Sequence, residues 1–191
     1  MLNPKLRSKI KKEFAKPGSY VVLTLLNTEL YGAFEILFLD FFSKEMSLPG
    51  VYVTVNKPAL TIIENCKKEN IDHETIIFID GVSKISETNI VRKNKILYLD
   101  NPENLTDLGI SVNEAITSLP KNEKFILFDS INTLLVYNDE ESVIRFAHFL
   151  ISRMREWDVK GIIFTLEKSM KTSVFGQISQ FCDNVVDTTK W

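Results

Sequence analysis

The stretch that most constrains this chain is residues 19–42, SYVVLTLLNTELYGAFEILFLDFF. Tyr20–Leu26 is a near-continuous apolar β-run, the pattern of a strand buried on both faces. Asn27, Thr28 and Glu29 make a short polar break. From Leu30 to about Phe42 the chain has a helical run, with Leu30, Phe34, Phe38 and Phe42 recurring at i, i+4 and Leu37 and Phe41 on the flank. A helix this apolar all round is either deeply buried or partly an interface, and burial is the expectation here. Strand, tight turn and buried helix in that order begin a phosphate-binding α/β domain. The chemistry of such a loop is missing. GxxxxGK[ST] needs glycines so that backbone N–H groups can curl around phosphate, a lysine for the β and γ phosphates and a hydroxyl for magnesium. No Lys or Arg lies between Lys16 and Lys44, Gly32 is the only glycine in the stretch, and Glu29 places a negative charge in the turn.

The rest of the chain alternates strands and helices. Residues 51–55 (VYVTV), 76–80 (IIFID), 96–99 (ILYL), 125–128 (FILF), 161–166 (GIIFTL) and 184–187 (NVVD) read as strands. Helices are expected over residues 59–69 with Pro58 in the first turn, 107–119 capped by Thr106, 140–157 and 173–181. Residues 82–94 read as a polar loop. The predicted fold is a three-layer α/β/α sandwich around a mostly parallel sheet. It forms one domain over residues 17–191, without internal repeat or linker.

A basic helical segment, residues 1–16, precedes it. Leu6, Ile10 and Phe14 share one face, surrounded by Lys5, Arg7, Lys9, Lys11 and Lys12. The plain reading is an amphipathic helix packed on the domain edge and dispensable for folding. The sharper one is a weak contact with nucleic acid or anionic membrane. A net charge of −2 gives the whole molecule no bias toward polyanions. The N-terminus lacks the apolar core of a signal peptide, and Glu29, Glu35 and Asp40 interrupt the most apolar window, which argues against a membrane span. Cys66 and Cys182 have no metal-type spacing and read as reduced, buried thiols, so a cytoplasmic protein is expected.

Four stretches together resemble the KaiC-like branch of the RecA-type P-loop ATPases. PGSYVVLTLL resembles the family's first strand, and GVYVTVNKP resembles the second strand with the segment just after it. FILFDSINTLL resembles the strand ending in the Walker B aspartate, here Asp129, and GIIFTLEKS the next core strand. The family is common in archaea, which makes an archaeal source an expectation. The resemblance puts the phosphate loop within residues 25–33, where LLNTELYGA supplies no lysine. It puts the acidic pair carrying the general base at Asn56 and Lys57, and neither can take a proton from water at neutral pH. Asp129 is kept beside Ser130. Without phosphate oxygens to complete a magnesium octahedron, it is expected to cap a turn or accept backbone hydrogen bonds as a vestigial Walker B residue.

No GxSxG, HExxH or CxxC pattern is present. His73 and His148 lie in different segments, Glu140 and Glu141 start a helix where their charge suits the dipole, and Lys168 and Lys171 read as solvated. Asp80, Asp100 and Asp129 each follow a strand and are brought to the carboxyl edge of the sheet, where α/β ligands bind. Losing loop, lysine and base together points to a non-catalytic KaiC-like pseudo-ATPase, with no cofactor, no metal and no catalytic residue. It would act as a protein-interaction or regulatory module, through a protein partner or as a homo-oligomer. The alternatives are an atypical nucleotide-binding protein or sensor, and an adaptor to membrane or nucleic acid through the basic N-terminus.

Overall fold

The computed structural model describes residues 3–83, 95–101, 103–120, 123–166 and 171–191. Among these residues, seven strands form one sheet, parallel throughout. They are β1 (Tyr20–Leu26), β2 (Gly50–Thr54), β3 (Ile76–Asp80), β4 (Ile96–Tyr98), β5 (Phe125–Asp129), β6 (Lys160–Leu166) and β7 (Asn184–Asp187), in the spatial order β4-β3-β2-β5-β6-β1-β7. All of β2 and β5 is buried, as expected for apolar central strands of a sheet covered on both faces.

Among the described residues, six α-helices cover the sheet: α1 (Pro4–Phe14), α2 (Tyr31–Leu39), α3 (Ala59–Lys68), α4 (Leu105–Ser118), α5 (Glu140–Glu156) and α6 (Thr172–Phe181). Side chains of α1, α2 and α3 share one core, and those of α4, α5 and α6 share the other. Residues 84–94, within the expected polar loop, lie outside the described residues. Asn104 rather than Thr106 caps α4, because its side chain accepts from the N–H groups of both Thr106 and Asp107. Pro58 precedes α3 as its cap instead of sitting in its first turn.

The apolar helical run continues past α2 as a wider π-helical turn, Asp40–Glu45. Its all-round burial has a direct cause. α1 packs on α2 and on this turn, so the face away from the sheet is covered as well. Phe14 meets Phe38 edge-on at 4.8 Å between ring centroids, and Phe38 meets Phe164 of β6 at 5.1 Å. This row of aromatic contacts runs from α1 through α2 to the sheet. Arg7 pairs with Asp40 at 2.9 Å and with Glu45. The buried Lys160 donates from Nζ to the carbonyls of Lys16 (2.9 Å) and Gly18 (2.5 Å), fixing the link between α1 and β1. Leu6, Ile10 and Phe14 are core residues, so the expectation that residues 1–16 are dispensable gives way to one in which α1 completes a layer.

Candidate functional site

Register aligns the ends of three strands. Thr54 of β2 pairs with Asp80 of β3 on one side and with Asp129 of β5 on the other. After β2 the chain enters α3 on the first face; after β5 it enters α5 on the second. Neighbouring strands whose connections leave to opposite faces open a crevice at their carboxyl ends, the usual ligand position of α/β sheets.

Polar side chains fill that crevice. Asp129 is fully buried. Its Oδ1 accepts from Tyr31 Oη and, at 2.9 Å, from Asn56 Nδ2, while its Oδ2 accepts from Tyr52 Oη at 2.7 Å. Tyr52 Oη also lies 3.1 Å from Glu35 Oε1, and Lys57 Nζ donates to Glu35 Oε2 at 3.0 Å. The same ammonium sits over the Tyr31 ring, 4.5 Å from its centroid. Thr54 Oγ1 donates to the Lys57 carbonyl at 2.7 Å and accepts from the Lys57 N–H, which shapes the turn presenting Lys57. Asn56 Nδ2 reaches Ser130 Oγ at 3.0 Å, and Thr133 Oγ1 donates to Asn56 Oδ1.

Burial pushes the Glu35 and Asp129 carboxyls above the usual range, and their mutual repulsion adds to the rise at Glu35. Lys57 and the surrounding donors pull both back only in part. Burial likewise drives the Tyr31 and Tyr52 hydroxyls well up, so both stay protonated donors. Tyr52 has one hydroxyl proton for two carboxylates. The shorter distance assigns it to Asp129, and Glu35 satisfies the second contact when it is itself protonated.

This arrangement revises the expectation for Asp129. Its partners are the side chains of Tyr31, Tyr52 and Asn56 instead of a turn or backbone donors. Asn56 and Lys57, which the resemblance puts at the acidic pair, are both engaged in the same network. Between β1 and α2 stands a single 3-10 turn, Thr28–Leu30, in which Asn27 Oδ1 accepts from the Glu29 N–H at 2.8 Å and Glu29 is exposed. Tyr31, Glu35 and Tyr52 are the residues that the sequence reading passed over. The signal was a glutamate inside an apolar helix, which demands a buried partner.

The other candidates do not join this cluster. Asp80 accepts from the N–H groups of Ala59, Val82 and Ser83, all at 2.8 Å, and so caps α3 and the turn after β3. Asp100 is exposed. Among the described residues, no three His, Cys, Asp or Glu side chains come together as a metal site. His148 packs edge-on against Phe181 at 4.6 Å, and half-buried His73 stands beside Glu74. Lys171 pairs with Glu140 at 2.5 Å, while Lys168 lies outside the described residues. Burial pushes the thiols of Cys66 and Cys182 up to about 12, leaving both protonated at neutral pH. On α1, Arg7 and Lys11 face Asp40 and Glu45, Lys9 sits over Trp191, and Lys5 and Lys12 are exposed. Because the apolar stripe of α1 is buried, it is closed to a bilayer. Among the described residues no helix is long and apolar enough to cross a membrane.

A family profile matches residues 51–188. The chain belongs to a family of unknown function, DUF7504. A KaiC-like protein of the hyperthermophilic archaeon Pyrococcus horikoshii has a similar structure, with a TM-score of 0.66 over 90% of this chain and 74% of that one. The two sequences are 18% identical, so the likeness concerns the fold, which is KaiC-like and RecA-type. No functionally curated protein matches the sequence.

Proposed function

We propose that this chain is a non-catalytic member of the KaiC-like fold, a pseudo-ATPase that works as a protein-interaction or regulatory module. The observation that carries the reading is the closed polar network around Asp129. Phosphoryl transfer depends on positioned cations and on acceptors left open for magnesium and water. Here both oxygens of the one aspartate that resembles a magnesium residue accept from Tyr31, Tyr52 and Asn56. The Lys57 ammonium beside this network is held by Glu35. No cation lies in the sequence from residue 17 to 43, and Glu29 occupies the turn. A helix N-terminus at an exposed site favours an anion by only about 0.3–1 kcal/mol, against roughly 8 kcal/mol for micromolar affinity.

The test is thermal unfolding with rising MgATP and MgGTP, with phosphate release followed in parallel. A ligand present at a hundred times its dissociation constant adds about 2.7 kcal/mol and moves the midpoint by several degrees. The expected result is a flat midpoint and no phosphate release. A saturable shift, with calorimetry giving one site per chain, would replace this reading by that of a nucleotide sensor.

A further inference from the structure

On the face opposite Glu35 and Asp129, α4 and α5 lie side by side over the second core. Their outer seam is an open groove of about 700 Å³. Ile110 of α4 is 52% exposed and Phe149 of α5 is 47% exposed, and both line it together with Phe146. Gly109 shapes the seam. A Cβ at that position would lie 3.1 Å from Phe149 Cε1, so the glycine lets the ring lie down against α4. Arg153 ties the far end together by donating to Asn113 Oδ1 at 3.0 Å.

The charged side chains that line this groove have one sign. Among the described residues, Arg145 and Arg153 are the only charged ones lining it. With Phe149 they fall at i, i+4 and i+8 on one face of α5. The two arginines therefore stand one on each side of Phe149, their backbone positions about 12 Å apart along the helix axis. Each has an exposed glutamate on its own helix, Glu141 for Arg145 and Glu156 for Arg153. Such exposed pairs are weak and yield readily to a better-placed carboxylate.

We propose that this groove docks an amphipathic helix of a partner protein. Its apolar side chains would cover Ile110 and Phe149, and two acidic residues about two turns apart would meet Arg145 and Arg153. A seam between two helices accepts a third by ridge-into-groove packing. A second copy using the same surface about a two-fold axis is disfavoured, since the arginine-flanked stripe would face its own image. The inference rests on the reading of the chain as a protein-binding module, and it names the surface and the chemistry of the partner.

The experiment uses the full chain and two labelled synthetic helical peptides. Both carry leucines at i, i+3, i+4 and i+7; one has glutamates eight residues apart beside that stripe, and the other has lysines there. Fluorescence anisotropy is expected to show the glutamate peptide binding at least tenfold more tightly than the lysine peptide. Phe149→Ala should weaken it at least tenfold, and R145E/R153E should reverse the preference. Circular dichroism melts establish that both variants fold. Absence of binding to the unaltered chain, equal binding of the two peptides, or an unchanged preference in R145E/R153E overturns the proposal. So does sedimentation showing a dimer that Phe149→Ala turns into monomer, since a second copy would then cover the groove. A MgATP shift would end the pseudo-ATPase reading and leave the peptide result standing, so the two fail separately.

Discussion

Lys57 Nζ stands 3.0 Å from Glu35 Oε2, tying the turn after β2 to the inner face of α2. The glutamate side chain is 1% exposed and the lysine side chain 34%. Removing the ammonium would strand a carboxylate in an apolar layer, whereas removing both charges leaves nothing to compensate. Lys57→Met should therefore cost about 2–3 kcal/mol, below the range for fully buried pairs because the lysine end is partly solvated. Adding Glu35→Gln to that variant should recover most of the loss. The check is a double-mutant cycle by urea unfolding; simple additivity of the two changes would mean that the pair is not coupled.

Both carboxyls of the same cluster, Asp129 as well as Glu35, are raised by burial, and comparison with Glu35→Gln isolates the part due to Glu35. Its carboxyl is raised above the ordinary value of 4.5 by burial first and by Asp129 second. Below 4.5 it is protonated in both folded and unfolded chains, so it contributes no difference. Between 4.5 and its raised folded value the native state holds the proton more firmly, and stability falls as pH rises through that window. Relative to Glu35→Gln, the unaltered chain should lose melting temperature steadily as pH rises above 4.5 through that window. Asp183 behaves in the opposite sense. Burial would raise its carboxyl, yet Arg155 and the Val21 N–H outweigh that and hold it low, so its contribution disappears on acidification below 3.8. A melting temperature of the unaltered chain that rises with pH relative to Glu35→Gln would contradict the assignment for Glu35.

Asp129→Asn replaces one acceptor oxygen by a donor inside a ring of donors. Tyr31, Tyr52 and Asn56 all point hydrogens at this carboxylate. At least one of them loses its acceptor, so the expected cost is about 1–3 kcal/mol. Neither protein should gain stability from magnesium. A magnesium-dependent rise in melting temperature, present in the unaltered chain and lost in the variant, would reveal a working cation site.

Much of the fold was legible because buried parallel strands are written as unbroken apolar runs. Residues 125–128 and 161–166 place β5 and β6 within one residue of their ends. The candidate site was legible only as a set of missing residues. What fills it was not, because Tyr31 and Glu35 on α2 and Tyr52 on β2 lie in segments whose convergence on Asp129 depends on strand register. Tyr52 alternates correctly in a buried strand and gives no local sign that its hydroxyl reaches Asp129, 77 residues later. The apolar face of α1 was visible as Leu6, Ile10 and Phe14. Its destination was not, since periodicity states that a stripe is covered without stating by what.

That destination sets the last prediction. Phe14 is fully buried, touches Phe38 edge-on, and its carbonyl accepts from Tyr20 Oη at 2.6 Å. Phe14→Ala should cost about 3–4 kcal/mol, from lost burial and from the cavity left beside α2. Deleting residues 1–16 should do more. It bares α2 and the π-helical turn after it, where Phe34, Leu37, Phe38 and Phe41 are buried, and it removes the arginine that faces Asp40. The truncated chain is expected to aggregate, or to keep far-UV circular dichroism while losing near-UV signal and cooperative unfolding. Charge-removing changes at Lys5 and Lys12 provide the control. Both are exposed, so Lys5→Gln and Lys12→Gln should each change stability by no more than about 0.5 kcal/mol. A truncated chain that melts cooperatively at the unaltered temperature would return α1 to the status of an edge segment and free its basic face for a separate role.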